Sequence, residues 1–207
     1  GSVGYPPNPT TAAGFSRPIR LKASSAPEPS FSAVFASAHG VRPRTVSLGT
    51  GSSVLLNVGQ VPVRSQGGIA TTVAWVHGGT ATFALEGIIH STGATIAWLK
   101  DQLHLLRTPE ESESLATSVE DNGGVYFVPA FVGLGAPYWS QEARAAILGL
   151  TPHSTRAHVA RAALEAIAYQ VRDVLDAMAV ECGRPLVEIS ADGGMVANAF
   201  LVQFIAD

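Results

Sequence analysis

The sequence predicts a layered α/β domain. Three observations point to it. Strand-like runs pair around glycine-rich turns between residues 44 and 85. Strand-like and helical stretches alternate after residue 125. One long stretch, residues 155–179, keeps Val159, Ala163, Ile167, Val171, Val174, Leu175 and Met178 on a single helical face.

The first 43 residues differ from the rest. They hold seven of the thirteen prolines and show little apolar periodicity before Phe31. Residues 1–29 are therefore expected to be extended or disordered, and residues 30–207 to form the domain. The chain begins Gly1-Ser2 with no methionine, which reads as an expression scar and leaves open whether residues 1–29 are native.

From Arg44 the elements can be taken in order. Residues 45–48 and 54–58 are strand-like and flank Gly49-Thr50-Gly51-Ser52, as in a hairpin. Residues 71–75 and 80–85 form a second pair around Gly78-Gly79. Ile88, Ile89, Thr92, Ile96, Leu99 and Leu103 then recur at helical spacing. Thr108-Pro109-Glu110-Glu111 opens another helix, with Thr108 at the N-cap, proline at the first position and acids in the first turn. Residues 125–128 and 146–150 read as strands joined by a Gly- and Pro-rich loop. After the long helix, Gly183 is the natural stop. Residues 186–190 make a strand, Ala191-Asp192-Gly193-Gly194 a turn, and Val196 begins a last helix.

Composition limits the function. The net charge of −3 offers no basic surplus for binding nucleic acid. No apolar run approaches the roughly 20 residues that a membrane helix needs. Cys182 is the only cysteine, so no intrachain disulfide forms, which fits a reducing compartment such as the cytoplasm. The six histidines lack metal-ligand spacing, and Cys182 has no base near it in sequence.

Four stretches have chemical potential. Glycines in Gly49-Thr50-Gly51-Ser52-Ser53 would let backbone N–H groups approach a phosphate. No lysine and no helix follow, so this is not a Walker A loop, and on its own it reads first as an ordinary hairpin turn. Asp192-Gly193-Gly194 through Asn198 links a strand to a helix, where a ligand could approach the helix start or the glycines could serve only the turn. Gly93 sits in a helical pattern at a cost of about 1 kcal/mol relative to alanine, as when another helix or a flat ligand packs closely against it. Gly133-Leu134-Gly135-Ala136-Pro137-Tyr138-Trp139 is a rigid loop that reads first as packing and second as a lid or interface.

Taken together, these stretches resemble the FGGY carbohydrate kinases, and the glycerol kinase branch most closely. Ala145, Ile147, Gly149 and Leu150, followed after seven residues by His158, Val159 and Ala162-Ala163-Leu164-Glu165, match that family's C-terminal signature. Residues 83–101, 126–139, 167–175 and 192–200 are also similar, and the likeness runs from about Phe31 to Asp207. The resemblance implies the second domain of an actin/Hsp70-type ATPase, a ribonuclease H-like fold, cut short at its C-terminus. It implies ATP and Mg2+, a polyol or sugar substrate, an absent N-terminal kinase domain and transfer of a phosphoryl group. Another sugar such as xylulose, a degenerate non-catalytic module and a homo-oligomeric state remain open.

The resemblance places Thr50 and Gly51 at the nucleotide phosphates, Gly93 and Ala97 on the nucleotide helix, and Gly194 with Asn198 near the adenosine. Two departures stand out. The family's catalytic aspartate, in a Gly-Asp-Gln type motif, has no counterpart in Pro27-Glu28-Pro29-Ser30-Phe31-Ser32. Ala97 replaces a frequent glutamine, which removes one nucleotide contact. The chain alone is therefore expected to be inactive.

Overall fold

A computed structural model describes residues 20–23, 44–183, 186 and 188–207. The strands are β1 (Arg20–Ala23), β2 (Arg44–Leu48), β3 (Ser52–Gly59), β4 (Ala70–His77), β5 (Thr80–Ile89), β6 (Tyr126–Val128), β7 (Ala146–Leu148) and β8 (Glu188–Asp192). The helices are α1 (Gly93–Asp101), α2 (Glu111–Thr117), α3 (Arg156–Cys182) and α4 (Ala199–Ala206), with a 3-10 turn at Gly194–Ala197 before α4.

The main sheet has the order β1-β8-β2-β3-β5-β4. β8 runs parallel to both β1 and β2, while the β2-β3-β5-β4 part is antiparallel. β6 and β7 form a separate antiparallel pair. Strand pairing first and βα alternation later thus produce the expected mixed α/β layering.

α3 closes the core. Every residue of its predicted apolar face is buried. It packs on β3 and β5, and α1, α2 and α4 pack against it. Gly87 on β5 makes this approach possible, since a Cβ there would lie 2.3 Å from Val174 Cγ1. The core combines that face with Val54, Leu56, Leu85, Ile89 and Leu99. Each such aliphatic side chain contributes about 1.5–3 kcal/mol on burial. At the start of α3 the Thr155 N–H donates to His158 Nδ1 at 3.0 Å. At its end Gly183 takes the left-handed conformation, φ 62°, that the sequence predicts.

Several local expectations are corrected. Ile88 and Ile89 extend β5 instead of opening a helix: Ile89 pairs with Ser52, and Gly87, Ile88 and Ile89 alternate buried, exposed, buried. Period-2 and period-3.6 patterns agree over so short a run, and the β3 partner decides it. Gly93 is consequently the first residue of α1, not an interior one. α2 starts at Glu111 with Glu110 as N-cap, because Glu111 and Ser112 donate to the Thr108 and Pro109 carbonyls in a tighter lead-in turn. β7 stops at Leu148, before Gly149 at φ 78°. Ala191 and Asp192 belong to β8 rather than to the turn. The helix expected from Val196 is split, because Asn198 is extended.

β1 falls inside the stretch expected to be extended or disordered. There the backbone is extended and hydrogen-bonded to β8. The rest of residues 1–29 lies outside the described residues. Among the described residues no helix is long and apolar enough to cross a membrane.

Candidate functional site

Three segments meet at one end of the main sheet: the β2–β3 turn, the start of α1, and the turn from β8 into α4. The first two are joined by hydrogen bonds. The Thr92 and Ala94 N–H groups donate to Thr50 O at 3.0 and 2.9 Å, and the Gly93 N–H donates to Gly49 O at 2.9 Å. The α1 N-terminus thus finds its acceptors in the hairpin turn, and those donors are taken. Thr92 completes the joint. It is fully buried; its Oγ1 donates to Gly49 O at 2.8 Å and accepts from Ser52 Oγ at 2.9 Å.

The glycines divide by purpose. A Cβ at Gly93 would lie 2.6 Å from Gly49 O, so its smallness serves the hairpin turn. The close neighbour is the hairpin backbone rather than another helix. A Cβ at Gly51 would lie 2.8 Å from Ile89 O. Gly193 has φ 95° and backs onto Leu48, with Leu48 O 2.4 Å from its would-be Cβ. Gly194 is different. Nothing lies within 4 Å of a Cβ built there, and its φ is outside the left-handed region. No conformational or packing demand among the described residues calls for glycine at that position.

The other predicted positions are placed as follows. Thr50 is exposed at the hairpin tip. Among the described residues, no hydrogen bond takes the Thr50 or Gly51 N–H. Ala97 lies one turn beyond Gly93 on α1 and is half-buried. Met195 brings the third segment to the first two, with its Sδ 3.3 Å from the Gly93 would-be Cβ. Asn198 caps α4 by accepting from the Leu201 N–H at 2.9 Å, and donates from Nδ2 to Ser112 Oγ at 3.2 Å. The Ala199 N–H donates to Glu113 Oε2 at 2.8 Å. Asp192, ahead of the glycines, has a buried Oδ1 with no hydrogen-bond partner among the described residues.

Sequence reasoning missed Thr92, Ser112 and Glu113. Thr92 was legible through the preference for Ser or Thr just before a helix. Ser112 and Glu113 reach Asn198 and Ala199 across the chain, and no local signal marks them.

The 133–139 loop is tied down at three points. Ala136 N–H donates to Ile88 O at 2.9 Å, Trp139 Nε1 to Gly68 O at 2.5 Å, and Tyr138 OH to Asp173 Oδ2 at 3.0 Å. Burial and then the Asp173 carboxylate push the Tyr138 hydroxyl up to about 12. Burial also raises Asp173, against the Tyr138 hydrogen bond. These contacts make the loop a packing element. Residues 27–32, where the family aspartate is expected to lack a counterpart, lie outside the described residues.

Residues 45–207 match the C-terminal domain of the FGGY family of carbohydrate kinases. The chain is 54% identical over 160 residues to a glycerol kinase of Methylobacterium radiotolerans, covering 77% of this chain and 32% of that protein. It is 52% identical over 162 residues to glycerol kinase 1 of Thermotoga maritima, covering 78% and 33%. Among solved structures, glycerol kinase of Plasmodium falciparum with ADP is similar at a TM-score of 0.74 and 36% identity, covering 79% of this chain and 33% of that one. A xylulose kinase from Rhodospirillum rubrum shares the fold at a TM-score of 0.67 and 22% identity, covering 86% and 35%. The chain spans about a third of the length of these relatives. The fold is the actin/Hsp70-like fold of these kinases. By the match across its described domain, the chain belongs to the FGGY family of carbohydrate kinases, of which it carries the C-terminal domain.

Proposed function

We propose that this chain supplies the nucleotide-binding side of an ATP-dependent glycerol kinase, which transfers the γ-phosphoryl group of ATP to a glycerol hydroxyl in the cytoplasm. Gly194 carries the reading. It is a glycine with open space beside it, on the turn that meets the hairpin and α1, where a nucleoside can lie against the backbone. Thr50 and Gly51 would face the phosphates with their N–H groups, and Gly93, Ala97 and Asn198 would border the nucleoside. The higher identity to glycerol kinases than to the xylulose kinase supports glycerol as the acceptor.

No three His, Cys, Asp or Glu side chains gather to hold a cation among the described residues. In this reading Mg2+ arrives on the nucleotide phosphates, which are its usual ligands in kinase sites. The chain's own contribution is to bind and orient the nucleotide. Taking the proton from the acceptor hydroxyl requires a carboxylate that the family places in its Gly-Asp-Gln type motif, and the remaining two-thirds of the relatives' length would bring the acceptor site. General base catalysis contributes about 10²–10⁴-fold, and positioning contributes more. The chain alone is therefore expected to bind ADP without turning over glycerol. Calorimetric titration with Mg-ADP and a coupled glycerol assay test both halves. Turnover at an ordinary kinase rate overturns the division of labour, and ADP binding unchanged in Gly194→Leu overturns the site.

A further inference from the structure

We infer that Ser112 and Glu113, on α2, are positioning residues for the nucleoside side of the site. The inference rests on the nucleotide reading above. Both side chains reach out of their own helix to the 194–201 segment. Ser112 is 1% exposed, and its Oγ carries one proton, which it donates to Pro109 O at 2.6 Å. That leaves its oxygen to accept from Asn198 Nδ2 at 3.2 Å. Asn198 Oδ1 is meanwhile committed to the Leu201 N–H at 2.9 Å.

These bonds settle which way the Asn198 amide points. Turning it over would set Nδ2 against the Leu201 N–H, donor against donor, and would offer Oδ1 to a hydroxyl whose proton is already used. With the orientation fixed, one of the two Nδ2 hydrogens goes to Ser112. The other has no acceptor among the described residues, so it is available to an acceptor atom on a nucleoside. Glu113 fixes the neighbouring peptide. Its Oε2 accepts the Ala199 N–H at 2.8 Å, a carboxylate against the positive end of α4. Two adjacent residues of α2 therefore hold Asn198 and Ala199, the cap and first residue of α4. The 3-10 segment that begins at Gly194 ends on that fixed point.

The test uses the whole chain with Ser112→Ala and Glu113→Ala, and two probes: ADP, and inorganic tripolyphosphate, which has no nucleoside. Loss of one hydrogen bond corresponds to about fivefold. Ser112→Ala and Glu113→Ala are each expected to weaken ADP about fivefold and leave tripolyphosphate unchanged. Amide exchange is expected to quicken about fivefold at Leu201 in Ser112→Ala and at Ala199 in Glu113→Ala. An equal loss for both probes marks a merely structural role and overturns the inference, as does unchanged ADP affinity. Should the wild-type chain bind no ADP, the nucleotide reading itself fails. The exchange measurement then decides the tether alone, and unaltered exchange at both amides overturns it.

Discussion

Adding a methyl group at Gly93 should separate the hairpin turn from α1. The Cβ would lie 2.6 Å from Gly49 O, against about 3.4 Å for an ordinary contact, so the turn must retreat by roughly 0.8 Å. The 2.6 Å obstacle is backbone, and although Met195 Sδ at 3.3 Å can shift, the Gly49 carbonyl cannot swing away as a side chain would. The bonds from Thr92, Gly93 and Ala94 to Gly49 and Thr50 now measure 2.9–3.0 Å. A retreat of that size takes them past hydrogen-bonding range. Three bonds at about 1 kcal/mol each, less up to about 1 kcal/mol gained from alanine in the helix and in the unfolded chain, give a net loss of about 2 kcal/mol. With a urea dependence of about 2 kcal/mol per molar, the unfolding midpoint of Gly93→Ala should fall by about 1 M. Gly194→Ala is the control, since its methyl meets nothing within 4 Å and should change stability by less than about 0.5 kcal/mol. A Gly93→Ala midpoint equal to wild type would refute the reasoning, because the glycine would then not be there for the turn.

Two further outcomes are expected. Arg161→Ala strips the buried Glu165 carboxylate of its 2.8 Å partner and leaves only Asn122 Nδ2; it also removes the donors to Ala116 O and Val119 O, and should cost about 3–5 kcal/mol in denaturant unfolding. Glu181 is desolvated, yet its bonds from Ser65 Oγ and the Gly67 and Gln66 N–H groups outweigh this and hold its carboxyl below the usual carboxylate range. Its folded value is depressed, so its contribution is complete above the unfolded carboxylate value and is lost as pH falls through the folded one. Glu181→Gln should flatten that acid arm of the stability–pH curve, and an unchanged arm would count against the assignment.

The fold was largely legible where a single period ran long enough. The α3 face extends over twenty residues at helical spacing, and Gly183 marks its end. The Gly-Thr-Gly-Ser turn between two β-rich runs identified the β2–β3 hairpin without help. Legibility failed where the deciding partner lies far along the chain. Ile88 and Ile89 suit either period, and only pairing with β3 makes them strand. Nothing local in residues 20–23 announces that β8 will pair with them. The candidate site divides in the same way. Glycine spacing pointed to the three segments, but it could not separate Gly93 and Gly193, which serve backbone contacts, from Gly194, which serves none. Asn198 was read as a ligand residue, and its cap on α4 emerged only with the helix start in place.

The position of β8 has a kinetic consequence. It sits between β1 and β2, yet it follows the antiparallel strands β2, β3, β5 and β4 and the whole of α3 along the chain. During synthesis the antiparallel strands can pair as they emerge, while one edge of β2 waits for a distant partner, Thr45 for Ser190. Closing so long a loop is slow, and an unpaired edge is a template for strands of other chains in the meantime. Pausing of synthesis between α3 and Glu188 should therefore favour aggregation even when the finished fold is unchanged.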